Sequence, residues 1–108
     1  MANTFKLKTK ASVGVTTTGL YVVPSSTTTV VIGITASNIS GNNINVGIGI
    51  TRASADDIHL MKNVPIPQGS SFEFMAGNKI VLETTDTITA KSDVANSLDV
   101  ALTIMEIT

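Results

Sequence analysis

The sequence predicts an all-β protein, an antiparallel β-sandwich of the jelly-roll or immunoglobulin-like type with about eight or nine short strands. Apolar and polar residues alternate with a period of two through most of the chain, which is typical of strands that bury one face. Turn-forming residues separate these segments at short, regular spacing. No segment has a helical period, and 108 residues predict a single domain, 1–108.

The first three strands are predicted from alternation and β-branched content. The first alternates Phe5 and Leu7 with lysines, and the second runs into a turn at Pro24. The third is the most β-branched part of the chain, which favours a strand. In chain order, the predicted strands are 4–10, 20–23, 28–37, 43–52, 58–62, 71–75, 79–83, 87–91 and 97–107.

The turn-forming stretch 38–42 separates the third and fourth strands, which predicts that these two strands form the strongest hairpin of the chain. The apolar residues of the fourth strand share one face: Ile44, Val46, Ile48 and Ile50. The opposite face carries only Asn45, Gly47 and Gly49, and is almost bare backbone. Such a face allows another backbone, sheet or subunit to approach closely.

The second half of the chain contains a proline-rich connection. Pro65 and Pro67 each fix φ and bias the preceding residue toward extended backbone, so we expect 65–69 to be a kinked connection after the fifth strand. The next three strands are short, and the last alternates regularly from Leu98 to Ile104.

The predicted core is aliphatic, because only 4% of the residues are aromatic. A core of this kind is modest, which favours oligomerisation or docking on a larger body. The predicted core residues are Val30, Ile32, Ile34, Ile44, Val46, Ile48, Ile50, Leu82, Val100, Leu102 and Ile104.

Composition excludes several classes of function. The net charge is −1 and charged residues make up 14%, which argues against nucleic-acid binding. The absence of cysteine favours folding in a reducing cytoplasm. No signal peptide is predicted, and no apolar run approaches the ~20 residues of a membrane helix, so we expect no membrane partner.

No catalytic, metal or cofactor site is predicted. His59, the single histidine, follows Asp56 and Asp57, but these residue types without a further ligand do not define a metal site. No nucleophile with a positioned base is recognisable, so we expect no enzyme. Gly47 and Gly49 lie inside a strand and are not a phosphate-binding loop.

Three surfaces remain as candidate protein contacts. The lysines of the first strand form a stripe that either contacts an acidic partner or protects an edge strand from unwanted pairing. The bare face of the fourth strand either packs against a partner or is solvated. The proline-rich connection offers backbone that the core does not use. The candidate contact residues are Lys6, Lys8, Lys10, Asn45, Gly47, Gly49, Pro65, Pro67 and Gln68.

The second half also carries a resemblance, in KNVPIPQGSS at 62–71, GNKIVLE at 77–83, DTI at 86–88 and LDVALTIMEI at 98–107. This pattern resembles the small virion structural proteins of tailed bacteriophages, especially marine and cyanobacterial phages. The resemblance implies a virion component, made in the host cytoplasm and added in many copies. It implies a head decoration (cement) protein bound to the major capsid protein, or alternatively a neck, tail or baseplate component. A homo-oligomer is expected, and a trimer by analogy with decoration at capsid symmetry points.

A carbohydrate- or receptor-binding module is the alternative from a different class. Sugar sites usually present exposed Trp or Tyr rings as stacking platforms. Tryptophan is absent and Tyr21 is the sole tyrosine, which counts against this alternative.

Overall fold

The computed structural model describes residues 3–52, 56–74 and 79–108. These residues form nine strands and no helix, so the all-β prediction is confirmed. Accordingly, no described segment is a helix able to cross a membrane. The strands are β1 (Asn3–Val13), β2 (Thr18–Val22), β3 (Thr28–Asn38), β4 (Ile44–Thr51), β5 (Ile58–Ile66), β6 (Ser71–Phe74), β7 (Ile80–Leu82), β8 (Thr87–Ser92) and β9 (Leu98–Ile107). Met75, the predicted end of the sixth strand, lies outside the described residues.

The strands form two antiparallel sheets, whose apolar inner faces make one core, as the predicted β-sandwich requires. Sheet A has the order β1-β9-β3, and β6 and β7 pair with successive parts of the remaining edge of β3. Sheet B has the order β2-β8-β4-β5. Strands β1, β2 and β5 each pair along one edge only within the described residues.

The predicted core is confirmed except on β3. The predicted residues that are buried are Ile34, Ile44, Val46, Ile48, Ile50, Leu82, Val100, Leu102 and Ile104. Val30 and Ile32 are only partly buried, so their assignment to the core was wrong. Val31, which the prediction placed on the opposite face, is fully buried.

A β-bulge on β3 explains this error. Val31 lies opposite Ile104, whereas Gly33 lies opposite Thr103, so β3 has one residue more than β9 at this point. Because of this extra residue, Ile32, the side of β3 that faces the core changes from the odd-numbered to the even-numbered residues. Odd-numbered residues face inward before the bulge and even-numbered residues face inward after it.

The predicted hairpin between β3 and β4 was also wrong, because the two strands belong to different sheets. One edge of β3 is occupied by β9 and the other by β6 and β7, so no edge remains for β4. The predicted turn at 38–42 is present, but it carries the chain from sheet A to sheet B.

Asn38 organises this crossing. Its side chain is buried and its amide donates hydrogen bonds to the carbonyls of Asn42 (2.7 Å) and Ile66 (3.0 Å). The side-chain carbonyl oxygen of Asn38 accepts hydrogen bonds from the backbone N–H and the hydroxyl of Ser40. A single polar side chain therefore satisfies the backbone of the turn and ties it to the end of β5.

The fifth strand is longer than predicted and includes Pro65, which lies opposite Asn45. The expected kinked connection therefore begins at Pro67 rather than at Pro65. A proline is tolerated here because β5 is an edge strand, so its missing N–H removes no bond to a further strand.

Candidate assembly surfaces

The outer face of sheet A carries an exposed row of apolar side chains. Phe5 lies opposite Met105, Met105 opposite Val30, and Val30 opposite Val81, so the row crosses β1, β9, β3 and β7. Residues directly opposite each other share one face of a sheet. Phe5 is 70% exposed and Val81 is 61% exposed.

Leu7 extends the row along β1 and is 65% exposed. We call Phe5, Leu7, Val30, Val81 and Met105 the apolar face. The residues in register with it on the same side are uncharged: Asn3, Thr28, Gly33, Thr103 and Ile107. The register-paired residues of the apolar face on β1, β9, β3 and β7 therefore carry no charge.

The lysines of β1 lie on the opposite side from the apolar face. Their register partners on β9 are the core residues Ile104, Leu102 and Val100, so Lys6, Lys8 and Lys10 point toward the side on which sheet B lies. Strand β1 thus directs its charges inward and its large apolar side chains outward, the reverse of an ordinary half-buried strand.

Lys6 is engaged inside the chain, in a cluster that links β1 and β9 to β2. Its ammonium lies 2.8 Å from a carboxylate oxygen of Glu106, which is nearly buried. The Tyr21 hydroxyl donates a short hydrogen bond to the other carboxylate oxygen, so the Thr29 hydroxyl, 2.8 Å away, donates to Tyr21. Lys8 lies over the Tyr21 ring, 5.9 Å from its centroid.

The cluster has electrostatic consequences for both acids. Hydrogen bonds from Lys6 and then Tyr21 lower the pKa of Glu106 below its usual value of 4.5. Burial, and then the hydrogen bond to Glu106, raises the pKa of Tyr21 to about 12. Glu106 is therefore ionised and Tyr21 neutral at physiological pH, which is the state that this hydrogen-bond pattern needs.

The bare face of β4 forms the floor of a groove on the outside of sheet B, with a volume of about 410 Å³. Lys91 lies opposite Gly47, and Thr89 lies opposite Gly49, so β8 makes one wall. On the other side, β5 contributes the second wall. The groove-lining residues of these two walls include His59, Lys62, Asn63, Thr89 and Lys91.

The second wall is irregular because β5 has two register shifts against β4. Between Val46 and Ile48 of β4, the partner strand runs from Val64 to Met61, so β5 carries an extra residue there. Asn63, in this bulge, has a φ of 52°, a left-handed conformation that asparagine tolerates better than most residues. The bulge brings Lys62 to the groove beside Gly47.

The two glycines of the floor are not equivalent. A Cβ atom at Gly49 would lie 2.8 Å from the carbonyl oxygen of Ile58. Because this oxygen belongs to the backbone, the clash could be relieved only by a shift of the strand. A Cβ atom at Gly47 would lie 3.5 Å from the carbonyl oxygen of Met61, an ordinary contact. The fold therefore requires glycine at position 49, whereas at 47 glycine only leaves the groove open.

The other candidate residues lie around one end of this groove. Asn45 lies beside Pro65, and its backbone N–H and side-chain amide donate to the carboxylate of Asp93. Pro67 and Gln68 are exposed, and the Gln68 N–H donates to the Asn43 side chain. The structure thus brings the bare face and the proline-rich segment together on sheet B and separates both from the lysines of β1.

The apolar face was missed by the sequence analysis. In β1, alternation identifies two faces but does not say which one is inside, and only the lysine face was assigned to a contact surface. A signal was present, because the stretch 3–13 contains three lysines and no acidic residue, so its inward charges need a partner from elsewhere. That partner, Glu106, is 100 residues away in the chain and could not be identified from the pattern.

No group of three or more His, Cys, Asp or Glu side chains able to hold a metal ion occurs within 3–52, 56–74 and 79–108. His59 lies on the wall of the groove, near Gly49, rather than in a cluster of ligands.

No family model matches the chain, and neither does any curated protein. Among solved structures, the chain is similar to a protein of the Bacillus endospore appendages, which form a family of disulfide-linked pili. The identity is 14% and the TM-score 0.59, over 99% of this chain and 87% of that chain. At this identity the likeness shows the fold alone.

Proposed function

We propose that the protein is a structural subunit of a multi-copy assembly and that it works by non-covalent packing alone. The observation that carries the proposal is the apolar face, on which Phe5, Leu7 and Val81 are each more than 60% exposed. Soluble monomers rarely expose contiguous apolar patches larger than roughly a few hundred Å², and patches above that size mark contacts with a partner. Such a subunit makes and breaks no covalent bond, so it needs no catalytic residue.

The setting that we propose is the virion of a tailed bacteriophage, reached after synthesis in the host cytoplasm. The resemblance of 62–107 to small virion structural proteins supports it. Within the virion, we place the chain on the head as a decoration (cement) protein that contacts the major capsid protein, since it is one compact sandwich without a fibre repeat. A neck, tail or baseplate position is the alternative within the same particle.

Energetics support a role in many copies rather than as an isolated complex. Burying three large apolar side chains contributes about 5 to 9 kcal/mol, at about 1.5 to 3 kcal/mol each. Association costs about 4 to 15 kcal/mol, so one such contact is near balance by itself. On a particle, several contacts per subunit are made together, and the first contact makes the later ones intramolecular.

A filament subunit is a second candidate, favoured by the fold shared with the endospore appendage protein over nearly the whole chain. That family is described as disulfide-linked, and these 108 residues contain no cysteine, so contacts between copies of this chain would be non-covalent. A head-to-tail contact that does not close on itself would produce an open filament.

Light scattering on the purified chain tests the role of the apolar face. We expect a homo-oligomer, a trimer if the analogy with decoration proteins holds, and a monomer for the double variant Phe5→Ser, Val81→Ser. The control is Val22→Ser, which removes a valine that is 57% exposed on sheet B. A wild-type chain that remains monomeric at micromolar concentration, both free and on particles, would refute the proposal.

Electron microscopy and particle stability separate the two candidates. A decoration protein should occupy regular positions on the head in a map of the particle, and particles without it should lose DNA more readily on heating or osmotic shock. Helical filaments of the purified chain would favour the second candidate. Particles that survive equally well without the protein would exclude the cement role.

A further inference from the structure

The groove on sheet B has the chemistry of a binding site for an acidic group. Its centre is flanked by Lys91 of β8, directly opposite Gly47, and by Lys62 in the bulge of β5. Neighbouring strands are about 4.8 Å apart, so the two lysines start about 10 Å apart across the bare floor of β4. No ion pair involves either lysine in the described part of the chain.

The acidic residues of the groove lie nearer its ends and already accept hydrogen bonds. At one end of the groove, the carboxylate of Asp93 accepts hydrogen bonds from the backbone N–H and the side-chain amide of Asn45. Near the other end, Asp57 accepts the backbone N–H of Arg52 at 3.0 Å. Asp57 and Asp93 keep their negative charges, but neither forms an ion pair with Lys62 or Lys91 in the described residues, so both ammonium groups are available to a ligand at the centre of the groove.

We propose that this groove binds an extended acidic segment of a partner protein in the assembly, with a Glu or Asp side chain seated over Gly47 between Lys62 and Lys91. The inference rests on the proposed assembly role and adds a second docking surface to it. The floor from Asn45 to Thr51 is about 20 Å long, which matches about six residues of extended chain.

A peptide fits the lining better than a saccharide does. Sugar sites usually offer an exposed Trp or Tyr ring for stacking, and no Trp, Tyr or Phe is among the described residues that line this groove. Tyr21 is buried on the inner side of the sandwich and its hydroxyl is already engaged. Beside the carboxylates of Asp57 and Asp93, the groove presents hydroxyl, amide and ammonium groups, which bind carboxylates and peptide amides.

The expected affinity is low for one site. Exposed ion pairs contribute about 0.2 to 1 kcal/mol each, which is a factor of about 1.4 to 5 in the dissociation constant. Both contacts are partly screened at physiological ionic strength, where the Debye length is about 8 Å. Such a site is useful when many copies act together.

Nuclear magnetic resonance titration of the ¹⁵N-labelled full chain tests the proposal. The probe is a blocked peptide, acetyl-Ser-Thr-Glu-Thr-Ser-amide, and the matched control peptide has Gln in place of Glu. We expect the Glu peptide to shift amide signals of 45–49, 61–63 and 89–92 at millimolar concentration. The Gln peptide should bind several-fold more weakly.

Variants locate the contact. Lys62→Met and Lys91→Met should each weaken binding of the Glu peptide about 1.4- to 5-fold, and Gly47→Leu should abolish it by filling the floor. Lys79→Met, which removes an exposed lysine outside the groove, is the control and should change nothing.

Three results would overturn the inference: equal binding of the two peptides, no shift at millimolar peptide, or stronger binding by a glucuronic acid disaccharide used as a competing probe. The last result would assign the groove to acidic saccharides instead. Light scattering of Lys62→Met separates this inference from the proposed function. That variant should keep the wild-type oligomeric state, so the groove can fail as a binding site while assembly through the apolar face stands.

Discussion

Sheet A and sheet B bury similar aliphatic side chains on their inner faces and expose very different residues on their outer faces. Sheet A presents the apolar face, with Phe5 and Leu7 at its edge. Sheet B presents a concave, polar groove with glycines on its floor and lysines on its walls. Folding requires apolar residues on the inner faces. On an outer face that contacts only water, any polar residue would be accepted.

The two outer faces would therefore contribute to assembly through different forces. Burial of the apolar face is driven by the hydrophobic effect, which has no direction and little dependence on salt. Contacts in the groove depend on charge and weaken as ionic strength rises. One face would supply affinity and the other selectivity for a partner of suitable charge.

The largest expected effect separates the inner side of β3 from its outer side. Ile34→Ala should lower the free energy of unfolding by about 2 to 5 kcal/mol, because it opens a cavity in the core. Ile32→Ala should cost less than about 1 kcal/mol, because Ile32 lies in the bulge and is partly exposed. Chemical denaturation of both variants measures the difference. Equal losses would mean that the bulge is not where the register places it.

The bulge also shows why the pattern of β3 misled. In the stretch 28–37, the even-numbered positions Val30, Ile32 and Ile34 are all apolar, so period-two counting places the three side chains on one inward face. The extra residue in β3 is evident only from its register with β9, which lies more than 60 residues later in the chain. Local alternation therefore identified the strand but could not fix its inward side.

Pairing between strands was harder to predict than the strands themselves. All nine predicted segments are strands, since each is specified by its own residues. The hairpin between β3 and β4 failed because a turn such as 38–42 allows either a return along the same sheet or a crossing to the other one. The choice depends on which edges of β3 other strands occupy, and β6, β7 and β9 all come later in the chain.

The candidate contacts follow the same division. The bare face of β4 was predictable, because Gly47 and Gly49 alternate with isoleucines within nine residues. The walls of the groove were not predictable. Lys62 reaches the groove through a bulge in β5, and Lys91 reaches it because β8 pairs with β4.

The second prediction sharpens the contrast within the groove itself. Gly49→Ala should cost about 1 to 3 kcal/mol, because its Cβ would press on the Ile58 carbonyl oxygen at 2.8 Å. Gly47→Ala should be neutral or stabilising by up to about 1 kcal/mol, because glycine is unfavourable inside a strand and the new Cβ makes only ordinary contacts. Thermal denaturation of the two variants, which differ only in position, measures the difference. A loss of similar size at Gly47 would contradict the geometry of the floor.

The third prediction concerns how sheet A holds its apolar face in place. Glu106→Gln should lower stability at pH 7 by about 1 to 2 kcal/mol, a value reduced by the partial exposure of Lys6. Because the folded-state pKa of Glu106 is lowered from its usual value of 4.5, its stabilisation is present above that unfolded-state value and is lost as the pH falls through the folded-state pKa.

The measurement is the unfolding free energy of wild type and variant from pH 7 to pH 3. The two curves should converge at the acidic end. Lys6→Met is the matched control, because it breaks the same ion pair from the other side and should also converge with wild type in acid. A difference that does not change with pH would mean that the pair contributes through packing and not through charge.

The smallest expected effect on the isolated fold is the most informative about the apolar face. Leu7→Thr should change the unfolding free energy of dilute protein by no more than about 0.5 kcal/mol, since Leu7 is 65% exposed within one chain. If copies associate through this face, the melting temperature of wild type should rise with protein concentration, because association stabilises the folded state, and Leu7→Thr should lose most of that rise. Lys91→Thr, on the wall of the groove, should retain it. A wild-type melting temperature that is independent of concentration would show that the apolar face does not pair with itself, and its partner would then have to be a different protein.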